Sequence, residues 1–174
     1  FRSRFNNMRH RQILSIPGWQ NLIIRGDRPF WTWKQRENNL VDGKIQSEGA
    51  YITFWKTGIV DHNPYESWLV SPTLSYKQAA SKILTFSLRF NGLSKDEQRE
   101  ELFQAYIITE KNGVLKEQVL DIDKYKPTGI EIDNETWLNY RIDLSKLTDV
   151  NIDDNFHLAF SFYSKEGGTY SGLN

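Results

Sequence analysis

Three stretches of this chain alternate apolar and polar residues with a period of two, and no other feature constrains the fold as strongly. From Lys82 to Asn91, Leu84, Phe86, Leu88 and Phe90 fall on one side, with Thr85, Ser87 and Arg89 on the other. From Thr136 to Leu144, Leu138, Tyr140, Ile142 and Leu144 alternate with Trp137, Asn139, Arg141 and Asp143. From Asn155 to Tyr163, Phe156, Leu158, Phe160 and Phe162 share a face. Successive side chains of a strand point to opposite faces, whereas a helix repeats its apolar residues at three and four. Each stretch is therefore a strand with one buried face. Leu84, Phe86, Leu88, Phe90, Leu138, Tyr140, Ile142, Phe156, Leu158, Phe160 and Phe162 are the expected core.

Weaker strand patterns cover Asn21–Arg25, Phe30–Lys34, Ala50–Trp55, Ser67–Val70, Phe103–Thr109 and Val114–Leu120. Gly26-Asp27, Asn38-Asn39, Asp42-Gly43, Asn91-Gly92 and Asp133-Asn134 are turn signals between them. Asn112-Gly113 between two apolar runs reads as a hairpin turn. The 24 aromatic residues, against a single Met, agree with pleated surfaces on which flat rings pack well. The expected fold is all-β, an antiparallel two-sheet jelly-roll β-sandwich. Ser94-Lys95-Asp96-Glu97 is a capping box, so the segment to Leu102 reads either as one or two helical turns or as an irregular loop.

A chain of 174 residues suits one domain and hides roughly 70% of its extended-chain surface on folding. It holds no cysteine, which excludes disulfides, thiolate zinc sites and thiol catalysis. Its 22 basic and 22 acidic residues cancel, and a neutral chain is a poor general partner for nucleic acid. No apolar run approaches the roughly 20 residues of a bilayer span. The chain opens at Phe1 and ends in a Gly-rich stretch, Gly167-Gly168-Thr169-Tyr170-Ser171-Gly172. The expectation is a single domain over 1–174, excised from a longer chain, with a final strand missing.

Several short pieces occur in a recognisable order: Gly18-Trp19-Gln20-Asn21, Gly26-Asp27-Arg28, Phe30-Trp31, Gly49-Ala50-Tyr51-Ile52 and Trp68-Leu69-Val70-Ser71-Pro72. Leu84-Thr85-Phe86, Asn112-Gly113, Trp137–Leu144 and His157–Phe162 follow. Over roughly residues 15–165 this resembles the choice-of-anchor J and cleaved-adhesin group of jelly-roll domains, akin to meprin-type and galactose-binding-like sandwiches. Such domains are common in surface proteins of Bacteroidota, often as accessory modules. The resemblance implies a non-catalytic extracellular binding or adhesion module at the outer cell surface. Its partners would be a glycan, a surface protein or other domains of the parent chain. It implies structural roles for Trp19, Trp31 and Trp68. Some members bind calcium through acidic residues near the first strand and in the closing strand. Here Asn6 follows Phe5 where an acidic residue is usual, and the chain stops before the closing strand.

The sequence also holds candidates for other chemistries. Glu131, Asp133 and Glu135 would share one face of a strand, and a retaining glycosidase needs two carboxyl groups about 5–5.5 Å apart. The spacing resembles the catalytic strand of laminarinase and lichenase-type β-glucanases, with Glu131 as nucleophile, Asp133 as its helper and Glu135 as acid. Against it, Asp133-Asn134 is a good turn and would scatter the carboxylates. Asp149, Asn151, Asp153, Asp154 and Asn155 form an oxygen-rich loop of the kind calcium takes, without the spacing of an EF-hand. His10, His62 and His157 stand too far apart in sequence for a metal motif, and His157 reads as an ordinary strand residue. For a sugar, the expected contact is Trp55 with His62 and Tyr65, an indole beside a polar loop. The remaining alternative is a spacer with no small ligand.

Overall fold

The computed structural model describes residues 13, 15–26, 32–35, 40–41, 44–45, 48–51, 64–88, 103–128, 137–148, 150–152 and 155–164. Among them the regular secondary structure is strand, apart from two short 3₁₀ turns at Ile122–Tyr125 and Leu144–Lys146. The strands are β1 (Gln20–Arg25), β2 (Thr32–Gln35), β3 (Leu40–Val41), β4 (Lys44–Ile45), β5 (Glu48–Tyr51) and β6 (Tyr65–Val70). They continue with β7 (Leu74–Ser75), β8 (Ile83–Leu88), β9 (Phe103–Lys111), β10 (Val114–Leu120), β11 (Leu138–Asp143) and β12 (Asn155–Ser164).

The main layer is an antiparallel sheet in the order β1-β6-β12-β9-β10, with β7 added beside β12. A second layer is the ribbon β8–β11. β2 pairs with β5, and β3 with β4. The core lies between the sheet and the ribbon. Leu69, Ile107, Leu120, Leu158 and Phe162 of the sheet and Leu88, Leu138, Tyr140 and Ile142 of the ribbon form one buried cluster. The chain is thus all-β with antiparallel layers, as the alternation requires.

Local chemistry sets several boundaries. The β9–β10 hairpin turns through Asn112 and Gly113, both in the left-handed region at φ 54° and 77°, the geometry that two-residue hairpin loops demand. β11 stops at Asp143 rather than running through Leu144. The Asp143 Oδ1 accepts from the Ser145 N–H at 3.1 Å and from its hydroxyl at 2.6 Å, which caps the 3₁₀ turn. Those bonds hold the Asp143 carboxyl below the usual range.

The expected core needs adjustment at its rim. Leu84, Phe86 and Phe160 are half-buried and pack against the cluster instead of lying inside it. Phe86 stacks on Tyr140 with ring centroids 5.0 Å apart and meets Phe160 edge-on at 5.4 Å, and Phe160 lies along Phe103 at 5.8 Å. These rings close the core's margin by touching one another. Phe90, the Ser94–Leu102 segment and the chain's last ten residues lie outside the described residues.

Candidate functional site

The outer face of the main sheet, turned away from the core, is apolar at its centre. Trp68 on β6 and Tyr106 on β9 stand on either side of β12. The β12 residues between them are small: Ser161 opposite Trp68, and Ala159 opposite Tyr106. Strands lie about 4.8 Å apart, so two strands flanking a third are roughly 10 Å apart. The gap above Ala159 and Ser161 lets both rings lean inward, and they stack at 4.6 Å and 23°. Ala159 is fully enclosed beneath them and Ser161 nearly so. Trp68, Val70, Ile108 and Ala159 form a second buried cluster, with Tyr106 packed against it.

Polar groups fix both rings. The Trp68 Nε1–H donates to the Glu66 carboxylate at 2.7 Å, and Glu66 lies on the same face two residues earlier. The Tyr106 hydroxyl donates to the Gln104 side-chain carbonyl. Burial pushes the Tyr106 hydroxyl above its ordinary pKa of 10.0; a hydrogen bond with Ser161 opposes this, and the charges of Glu66 and Glu117 add to it. The apolar row continues outward on both sides. Leu22 on β1 stands opposite Trp68 and is 39% exposed, and Val119 on β10 stands opposite Tyr106 and is 52% exposed.

The motif residues that carried the family resemblance anchor this sheet. Ser71 at the end of β6 is buried. Its N–H donates to the Leu158 carbonyl at 2.8 Å, its hydroxyl accepts from the Leu158 N–H at 2.9 Å, and its carbonyl lies 2.8 Å from the His157 Nδ1. His157 is therefore a satisfied strand residue, as its alternation indicates. Gly18 has φ +81°, and a Cβ there would meet the Pro72 ring at 2.9 Å, so only glycine lets the chain entering β1 lie against Pro72. Gly18-Trp19 and Trp68–Pro72 are thus two halves of one packing unit. Trp19 is half-buried against the core, and Trp68 is buried, which fits the structural roles expected of both.

Trp55 and His62 lie outside the described residues. Tyr65 opens β6 opposite Ser164, and its side chain is likewise outside the description. Glu131, Asp133 and Glu135 lie outside it too, as do Asp149, Asp153 and Asp154. Of the oxygen-rich loop, the Asn151 backbone is clasped by Gln118 through two bonds of 2.9 and 3.0 Å, and Asn155 begins β12 opposite Ser75. Among the described residues no three His, Asp or Glu side chains gather as metal ligands, and no helix is long and apolar enough to cross a membrane. Tyr106, Leu22 and Val119 were not singled out from the sequence. The available signal was Ala159 and Ser161, two small residues inside the most aromatic strand.

By sequence the chain matches no family model and no curated protein. Among solved structures it is similar to the K1 cleaved adhesin domain of Lys-gingipain from Porphyromonas gingivalis W83. The TM-score is 0.50 at 13% identity, covering 92% of this chain and 89% of that one. At that identity the likeness is one of fold alone: the two chains share an all-β architecture.

Proposed function

We propose that the chain is a non-catalytic binding or adhesion module of an exported bacterial surface protein, accessory to other domains of a longer parent. The observation that carries this reading is the apolar outer face of the main sheet. A layered sandwich needs one apolar face per sheet to fold. A second one exceeds that need: its centre at Trp68, Val70, Ile108 and Ala159 is buried, and its rim residues Leu22 and Val119, in contact with solvent, suit contact with another molecule. The likeness to an adhesin domain supports the same reading and the extracellular location that goes with it.

Within this reading the proposed glycan contact is Trp55 with His62 and Tyr65. One stacked indole yields only weak affinity, on the order of millimolar, useful when several modules act together. The test is titration of oligosaccharides followed by tryptophan fluorescence, with Trp55→Ala as control, beside an assay for β-glucan hydrolysis. The reading expects a saturable response that Trp55→Ala abolishes and no hydrolysis. Absence of any sugar response removes the glycan contact, and hydrolysis abolished by Glu131→Gln overturns the non-catalytic assignment.

A further inference from the structure

Among the described residues β10 is an edge strand, and its backbone and side chains present a pairing surface. Among the described residues it pairs with β9 alone. Leu115 is 63% exposed and Val119 52% exposed, on a strand whose residues are mostly in solvent. The register fixes which backbone groups face outward. In a two-residue hairpin the residues flanking the turn, Lys111 and Val114, exchange both hydrogen bonds, and such pairs recur at every second position. Leu115, Glu117 and Val119 therefore turn their N–H and C=O groups away from β9. The same three side chains lie on the outer face of the sheet, because Val119 stands opposite Tyr106 and Glu117 opposite Ile108. The edge thus offers three backbone donor–acceptor pairs that no described strand takes up, and the side-chain row apolar, acidic, apolar.

Two antiparallel registers of a second copy fit this edge badly. Antiparallel self-pairing that sets Leu115 against Val119 also sets Glu117 against Glu117. Shifting the centre to Lys116 sets lysine against lysine and Leu115 against Glu117. Like charges directly opposite each other destabilise a strand pair. Glu117 and Lys116 thereby disfavour these two registers of self-pairing.

We propose that β10 receives an extended segment of a partner protein by strand addition. That segment carries the outer-face row apolar, basic, apolar, with the basic side chain opposite Glu117. This deepens the binding-module reading and rests on it. Backbone pairing supplies the attachment, and the alternate side chains supply the selectivity.

The probe is the blocked peptide Thr-Val-Thr-Lys-Thr-Val-Thr, with Thr-Val-Thr-Glu-Thr-Val-Thr and a scrambled Lys peptide as controls. NMR titration should give saturable binding of the Lys peptide and slowed amide exchange at Leu115, Glu117 and Val119. Glu117→Lys should weaken the Lys peptide by about fivefold and strengthen the Glu peptide to a similar degree. Val119→Pro removes one outward N–H without touching the β9 ladder and should abolish that protection. Unchanged exchange at the three amides, equal binding of the scrambled peptide, or equal preference of wild type and Glu117→Lys overturns the proposal. So does a wild-type dimer that itself protects those amides. A sugar response that persists while the peptide fails removes this inference alone, and a lost sugar response with peptide binding intact leaves it standing.

Discussion

The two layers of this domain treat their outward faces differently. On the ribbon, Thr85 and Ser87 of β8 and Asn139 and Arg141 of β11 point outward and are exposed, and the Ser87 hydroxyl bonds the Asn139 side chain at 2.6 Å. On the main sheet the corresponding positions hold Trp68, Val70, Tyr106, Ile108 and Ala159, most of them buried. Both layers bury their inward faces in the same core. One outward face is therefore what folding leaves to water, and the other is a second packed surface. The difference shows that the apolar character of the main sheet is not accounted for by the core alone.

That contrast can be broken most directly at Trp68. If the outer cluster is packed as densely as the core, Trp68→Ala costs about 3–5 kcal/mol in urea unfolding. A cost below about 1 kcal/mol would make the two outward faces equivalent. Ala159→Leu should cost about 1–3 kcal/mol, because the side chain beneath the stack has no room to grow. It should also alter the near-ultraviolet circular dichroism of the ring pair, and a neutral result would mean the rings do not rest on β12.

Tyr106 sharpens the comparison through pH. Its folded pKa is raised, so below about pH 10 it is protonated in both folded and unfolded chains and contributes no pH dependence. As pH rises past the unfolded value, the unfolded chain ionises first, and stability falls until the raised folded value is passed. Tyr106→Phe should lack that part of the alkaline loss, and identical alkaline profiles would remove the claim that the ring is desolvated. The smallest effects belong to the ribbon. Thr85→Ala and Arg141→Ala should each stay within about 0.5 kcal/mol of wild type, and a larger loss would show that this face is also covered.

Much of the layering was legible in the sequence because strand alternation has a period of two and needs no knowledge of neighbours. The strands β8, β11 and β12, the turn at Asn112-Gly113 and the all-β class all follow from it. Short strands such as β7, Leu74–Ser75, were not legible. Two residues carry no period, and β7 exists only because β12 offers it a partner. The candidate surface was legible only in fragments. Trp68 and Ala159 lie in the quoted motif stretches, yet nothing local links them to Tyr106.

By itself the sequence determined which residues face inward on the strongly patterned strands and that no thiol chemistry is available. The tertiary structure alone decided the order β1-β6-β12-β9-β10. That order places β12 between β6 and β9, so Ala159 and Ser161 separate Trp68 from Tyr106 and the two rings can stack. It also leaves β10 paired on one side among the described residues. Strand neighbours far apart in sequence are chosen by hydrogen-bond pairing and by packing across the whole sheet, and a local pattern of apolar and polar residues carries no record of that choice.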